Sequence, residues 1–356
     1  MRRVLMALTL LALTAGPARA QGDLLQSCRE AMPSTPATLP SDVIAQFNHM
    51  CAQVVNSFSN MQPGIGIAFS GGNPVLGTGS TQGTRLGFLP RVSASLRANL
   101  ALAEMPQLFD KYSSQISDSE SLRPMPRVGV PLGSLQADLS VGLFNGMAFG
   151  LGAVDLLGSV AIVPKASDIG LDEAIVNYGA GARVGILKQG LIMPGVSVSG
   201  MYRKMGEIGF GDLATHPGSF SSDLSNLSLR AVASKGLLIL DLAVGAGYDR
   251  YSSDLSLGWK VVCETSECVQ ASSGQGGLTL TSQIAGDVKT SAWNVFANAG
   301  LDLFLIKIVG ELGYQRRLDE LDASDLGEAG LPAAPLTAED LRGGNIFGSI
   351  GVRLAL

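Results

Sequence analysis

The sequence predicts an all-β transmembrane antiparallel β-barrel of about ten strands, preceded by an N-terminal helix and plug segment. Three observations predict it. Glycine is frequent, 45 of 356 residues, while charged residues make up 15% and aromatics 6%, a balance that suits Gly-rich β-structure better than helical folds. From residue 84 onward apolar and polar residues alternate with period two, which places one chemistry on each face of a strand. The connections between these stretches alternate short and long, as in barrels that cross a membrane with tight turns on one side and long loops on the other. A soluble antiparallel sandwich shares the alternation but has no reason to segregate loop lengths by end.

The chain opens on a secretory leader. Arg2 and Arg3 form a charged start, Val4 to Leu13 an apolar core, and Ala18-Arg19-Ala20 a small-x-small cleavage pattern, so residues 1–20 read as a cleaved signal peptide and the mature chain starts at Gln21. The apolar core is shorter than the ~20 residues that span a bilayer as a helix. Gln21 to Pro40 is rich in Pro, Ser and Thr and reads as irregular. Ser41 then opens a helix over 41–58, with Val43, Ile44, Phe47, Met50, Val54, Val55 and Phe58 along one stripe. That stripe is too apolar to stay in water, and the nearest place to dock it is the periplasmic mouth of the barrel. Pro63 to Gly83, with Gly71-Gly72-Asn73-Pro74, reads as a plug, a linker or one short strand at Ile65 to Phe69. Residues 21–83 are thus expected to form a periplasmic helix and plug or linker segment, and 84–356 the barrel.

Ten strands are expected, at 84–101, 133–144, 147–163, 177–187, 191–205, 222–235, 237–260, 287–303, 306–317 and 342–356. An even number lets both ends of the sheet meet on one side of the membrane. Twelve follow if Ile65 to Phe69 and part of 268–284 also pair. Leu135, Ala137, Leu139, Val141 and Leu143 against Gln136, Asp138 and Ser140 show the alternation plainly, with Leu139 toward lipid and Ser140 toward the lumen. Short turns are read at Asn145-Gly146, Lys188 to Gly190, Lys235-Gly236 and near Leu305, and assigned to the periplasm. The long connections, including 261–286 and 318–341, are assigned to the outside.

The polar face carries Arg85, Arg91, Arg97, Arg183 and Arg353 with Asp138, Asp241, Asp302 and Glu311. These are the lumen-lining candidates. They form either a charged constriction that selects permeants or a mutually neutralised network that fills a narrow barrel, and at about ten strands the second is favoured, because small barrels leave little space beyond their own side chains. Cys28, Cys51, Cys263 and Cys268 are an even set in an exported chain, which favours disulfides over metal or nucleophile roles. Cys263 with Cys268 is the cheapest local closure, leaving Cys28 with Cys51. Only His49 and His216 are present, neither at zinc-site spacing, and no nucleophile, base and orienter stand out. No metal, cofactor or catalytic role is expected. The acidic run from Leu318 to Leu341 matches no calcium loop and reads as a solvated loop. A net charge of −5 without a basic stripe excludes a nucleic-acid partner.

Two sequence stretches carry a resemblance. Gly181-Ala182-Arg183-Val184-Gly185-Ile186-Leu187 followed by Pro194-Gly195-Val196-Ser197-Val198-Ser199, and Asp155-Leu156-Leu157-Gly158-Ser159, resemble uncharacterised Gram-negative outer-membrane β-barrels. More loosely, the Asn-Pro motif in the N-terminal segment is similar to that of the long-chain fatty-acid transporter family. The resemblance implies a place in the bacterial outer membrane, with membrane lipid and the barrel-assembly machinery as partners. The terminal Leu356 departs from the Phe or Trp that such barrels usually end on, although Ile350, Val352 and Leu354 keep the alternation. The expected function is a channel or transporter for a small or apolar solute. The alternative is a non-conducting barrel that serves as an anchor or displays its loops.

Overall fold

The structure is a computed structural model, and it describes residues 55, 58–85, 89–106, 115–116, 127–147, 150–164, 174–210, 218–263, 266, 278–303, 306–318 and 344–355. The leader, the Pro-rich segment, most of the expected 41–58 helix, both histidines and the acidic run lie outside the described residues.

Ten long strands form the wall: β1 (Val92–Pro106), β2 (Arg127–Phe144), β3 (Val154–Val163), β4 (Ile175–Leu187), β5 (Gly195–Phe210), β6 (Gly218–Leu237), β7 (Leu240–Cys263), β8 (Leu278–Leu303), β9 (Ile306–Arg317) and β10 (Gly344–Ala355). Each pairs antiparallel with the next, and β10 returns to β1 through Phe347↔Ala101 to Ala355↔Ser93, which closes the barrel. The expected twelve-strand variant is corrected to ten. Residues 278–284 continue β8 and form no separate strand, and Ile65 to Phe69 belong to a helix over 58–70.

Two other expectations shift. The first strand starts at Val92, because Thr84–Arg85 instead pairs with Leu89–Pro90 in a two-residue ladder of its own. The turn expected at Lys235-Gly236 lies at Leu238-Ile239: Lys235 pairs with Leu242 and Gly236 with Asp241, and Leu238 itself takes the positive φ of 56° that so tight a connection needs. Asn145-Gly146 opens a longer connection, over 145–153, and makes no two-residue hairpin.

The strand faces follow the alternation. Leu139 is 47% exposed on the outer surface and Ser140 is 2% exposed inside. The outer surface carries Leu96, Val160, Val244, Leu312 and Ile350 in the open, and an apolar band of this kind is stable only against lipid. A row of aromatics bounds it on the long-loop side: Tyr178, Tyr202, Tyr248, Trp293 and Tyr314, one each on β4, β5, β7, β8 and β9. Tyr248 pairs with Trp293, whose ring meets Tyr314 edge-on with centroids 5.9 Å apart. Aromatic rings with polar tips gather where hydrocarbon gives way to headgroups. The opposite boundary lies at the short turns, whose tips are apolar: Ile192 is 88% exposed and Leu238 fully so.

β7 has 24 residues, which at ~3.3 Å each extend about 80 Å, or about 60 Å along the axis at the usual barrel tilt. That is more than twice the ~25 Å apolar band of such barrels. The upper parts of β6, β7 and β8 therefore stand clear of the membrane as a projecting wall.

Candidate functional site: the occupied lumen

A barrel of ten strands encloses a space little wider than one helix, and here one segment of the same chain fills it. Residues 58–83 run through the lumen almost entirely buried. Their direction is set by their partners. Gln62 Nε2 donates to Ser253 Oγ at 2.6 Å and Thr290 Oγ1 donates to Gln62 Oε1 at 2.6 Å, high on β7 and β8. Further along the chain, Asn73 meets Asn298 on the lower half of β8. Gln82 and Gly83 reach Asp155 beside the short turns, and the Thr84 amide donates to Asn145 Oδ1 at 2.6 Å. The segment thus enters from the long-loop end and leaves at the short-turn end.

The helix over 58–70 contains Pro63, Gly64 and Gly66, which by propensity should disfavour it, so packing holds it. Ile67 and Ala68 sit in an apolar cluster with Ala101, Val232, Ala243, Phe296 and Phe347 from the wall. Burial of such side chains contributes ~1.5–3 kcal/mol for each large one. Gly66 faces the Tyr251 ring so closely that a Cβ there would overlap it. The helix ends at Gly71, whose φ of 58° and amide bond to Ile67 O at 2.9 Å make a left-handed cap.

Wall charges grip the backbone beyond that cap. Arg97 Nη2 donates to Ser70 O and its Nη1 to Asn73 O, both at 3.0 Å, which puts a cation at the negative end of the helix. Glu311 accepts the Gly72 and Asn73 amides, each at 2.8 Å, and Asn298 Nδ2 at 2.8 Å. Arg230 Nε donates to Gly72 O at 2.9 Å while its Nη2 holds Asp249 at 2.9 and 3.0 Å. Nearer the exit, Arg353 Nη1 donates to Leu76 O at 2.7 Å. Asp155 accepts the Gln82 amide at 3.0 Å and Arg183 Nη2 at 2.7 Å. Each of these charges is thereby paired or spent on a backbone group, as a low-dielectric interior requires.

The candidates divide accordingly. Arg97, Asp138, Arg183, Glu311 and Arg353 are buried in the lumen, Arg97 pairing with Asp138 at 3.1 Å. Asp241 and Asp302 sit together at the short-turn rim around Lys307 rather than in a central constriction, and the Asp302 side chain is 44% exposed. Arg91 is corrected: it is exposed ahead of β1, because the alternation that places Ser93 inward begins only with that strand. The Arg85 side chain lies outside the described residues. Cys263 is buried and is not a free thiol, while Cys28, Cys51 and Cys268 lie outside the described residues.

Sequence reasoning passed over Asp155, Arg230, Asp249 as a clamp, and Asn73. Arg230 was within reach, since it lies in phase with Ser228 and Ser234 between the outward Leu229 and Ala231. Asp155 was masked by Leu157, an apolar residue in the same inward phase that packs on Val75 of the plug and on Met201.

On the outer face of the projecting wall, Glu207, Asp223, Asp254 and Asp287 edge a shallow groove of about 570 Å³. Its hydrogen bond with Asp287, and then the charge of Asp223, hold the Asp254 carboxyl above the usual aspartate range. The same hydrogen bond, with Lys289, holds Asp287 below it.

No family model matches the chain, and no curated protein matches it. Among solved structures it is similar to the outer membrane protease OmpT from Escherichia coli, at 9% identity over 75% of this chain and 96% of that one, with a TM-score of 0.36. It is also similar to Neisserial surface protein A, at 8% identity over 74% and 96%, with a TM-score of 0.26. A third likeness is to the translocator domain of the autotransporter NalP from Neisseria meningitidis, at 9% identity over 74% and 87%, with a TM-score of 0.34.

Proposed function

We propose that this chain is a bacterial outer-membrane anchor whose lumen is stoppered by its own N-terminal segment, and that in this state it passes no steady flux of solute. In this reading the leader 1–20 exports the chain and is cleaved after Ala20, the short turns face the periplasm, and the projecting wall stands outside the cell. No catalytic chemistry is involved.

One observation carries the reading. Five of the charges that would line a permeation path, Arg97, Glu311, Arg230, Arg353 and Asp155, are turned onto the backbone of residues 70–82. A selectivity ring needs its charges free to exchange with a passing ion; these are used up. The alternative expected from the sequence, a channel or transporter for a small or apolar solute, requires the segment to leave the lumen.

Planar-bilayer conductance separates the two. The intact protein is expected to give no steady current, and a variant lacking residues 58–83 a steady ohmic one. Where that deletion fails to fold, Glu311→Ala combined with Arg97→Ala loosens the segment and serves the same purpose. Steady conductance from the intact protein would overturn the stoppered reading in favour of the channel.

A further inference from the structure

We infer that the residues preceding Val55 lie on the external side of the membrane, so that this barrel carries its own N-terminal segment to the cell surface. The inference rests on the orientation in the reading above, with short turns inside and long loops outside.

The direction of threading is the first support. Gln62 is level with Ser253 and Val288, and residues 71–84 descend from there to the short turns. The chain upstream of the helix therefore starts from the long-loop half. To reach the periplasm it would have to pass back down the lumen beside the helix, and the walls leave no lane for it. The segment meets side chains or backbone from every quarter: Arg97 on β1, Ser134 on β2, Asp155 on β3, Arg230 on β6 and Glu311 on β9 among them. On β7 the Tyr251 ring lies against Gly66. A second helix or extended strand needs at least the width of another chain, and a ten-strand barrel does not provide it.

A change in lumen chemistry is the second support. Around and below the aromatic row the inward residues of β7 and β8 are mixed, with Asp249, Asn294 and Asn298 beside Ala243 and Phe296. Higher up, beyond Ser253 and Thr290, apolar residues predominate, with Leu255, Leu257 and Trp259 on β7 and Leu280 and Ile284 on β8 buried alongside Ser282. An apolar inner face on a wall that stands in water needs covering by apolar chain. The stripe of Val43, Ile44, Phe47, Met50 and Val54, directly upstream of the buried Val55, supplies such a surface on the right side of the membrane.

The test places an epitope in the full-length protein at one of three positions: after Gly22, after Ala323, or after Gln189. Antibody binding on intact cells is compared with binding after outer-membrane permeabilisation. The Gly22 and Ala323 tags are expected to be reached on intact cells to the same extent, and the Gln189 tag only after permeabilisation. A Gly22 tag reached only after permeabilisation, or in neither state, while the Ala323 tag is reached from outside, overturns the inference and leaves the orientation standing. A Gln189 tag reached from outside with Ala323 hidden overturns the orientation and the inference together. If the epitope at Gly22 blocks assembly, Ser34→Cys labelled with a membrane-impermeant maleimide replaces it, with the same outcomes.

Discussion

Glu311 accepts three hydrogen bonds from two places at once, two from the plug backbone and one from Asn298 on the neighbouring strand. Removing the acceptor leaves three buried donors without a partner, and unsatisfied buried donors are expensive, at about 1–3 kcal/mol each before relaxation. Glu311→Ala is therefore expected to lower stability by about 2–4 kcal/mol, read as a lower temperature for loss of the compact species on gels. Glu311→Gln keeps an acceptor oxygen and should fall between the two. An unchanged melting temperature for the alanine variant would show that the clamp holds nothing. Glu311 was legible as a lumen residue, because it alternates with the outward Gly310 and Leu312. That it faces a peptide backbone rather than a permeant was not legible, since a period-two pattern assigns a residue to a face and says nothing about what lies opposite.

At the scale of elements, the strands were largely readable and the plug helix was not. Strands such as β2 declare themselves because lipid on one side and polar groups on the other enforce strict alternation. The helix over 58–70 is set by tertiary packing against local preference, and Pro63, Gly64 and Gly66 point the reader to a broken loop. At Gly66 the small residue is there for clearance: it lies under the ring of Tyr251, whose hydroxyl accepts a hydrogen bond from Gln315 at 2.8 Å. Gly66→Val is expected to keep the segment from seating while leaving the wall intact. The expected result is a barrel of native strand content by circular dichroism that now conducts in bilayers. Silence of the bilayer with a folded barrel would mean the ring moves aside and the seat survives.

For the molecule as a whole, the apolar surface runs from the short-turn tips, Leu191, Ile192, Leu238 and Ile239, up to the aromatic row, and everything long projects past that row. Its position in the membrane is then set at both edges. Trp293 should sit at the headgroup level, and Trp259, on the inner face of the projecting wall, away from lipid. With Trp259→Phe isolating Trp293, fluorescence should be quenched more by lipids brominated near the headgroup than by lipids brominated near the chain ends. Stronger quenching by deep bromines would move the band upward and draw the lower part of the projecting wall into the hydrocarbon. Loop segregation in the sequence foretold this asymmetry; the apolar turn tips were the part it concealed, since turns are ordinarily read from their Gly, Asn and Lys.

The seam between β1 and β10 joins the earliest strand of the wall to the latest, and the plug is continuous with β1 through a few residues. This arrangement dictates an order of events in time. Once the ring is shut, a segment held by several strands around it would have to thread in through a narrow end, so it is expected to lie along the inner curve of the unfinished sheet while that sheet is still open. The segment then works as a former around which the wall is laid, and closure of the seam is the step that commits it. A chain released before β10 is complete should accordingly retain the segment loosely, exposed to protease, and a finished one should not.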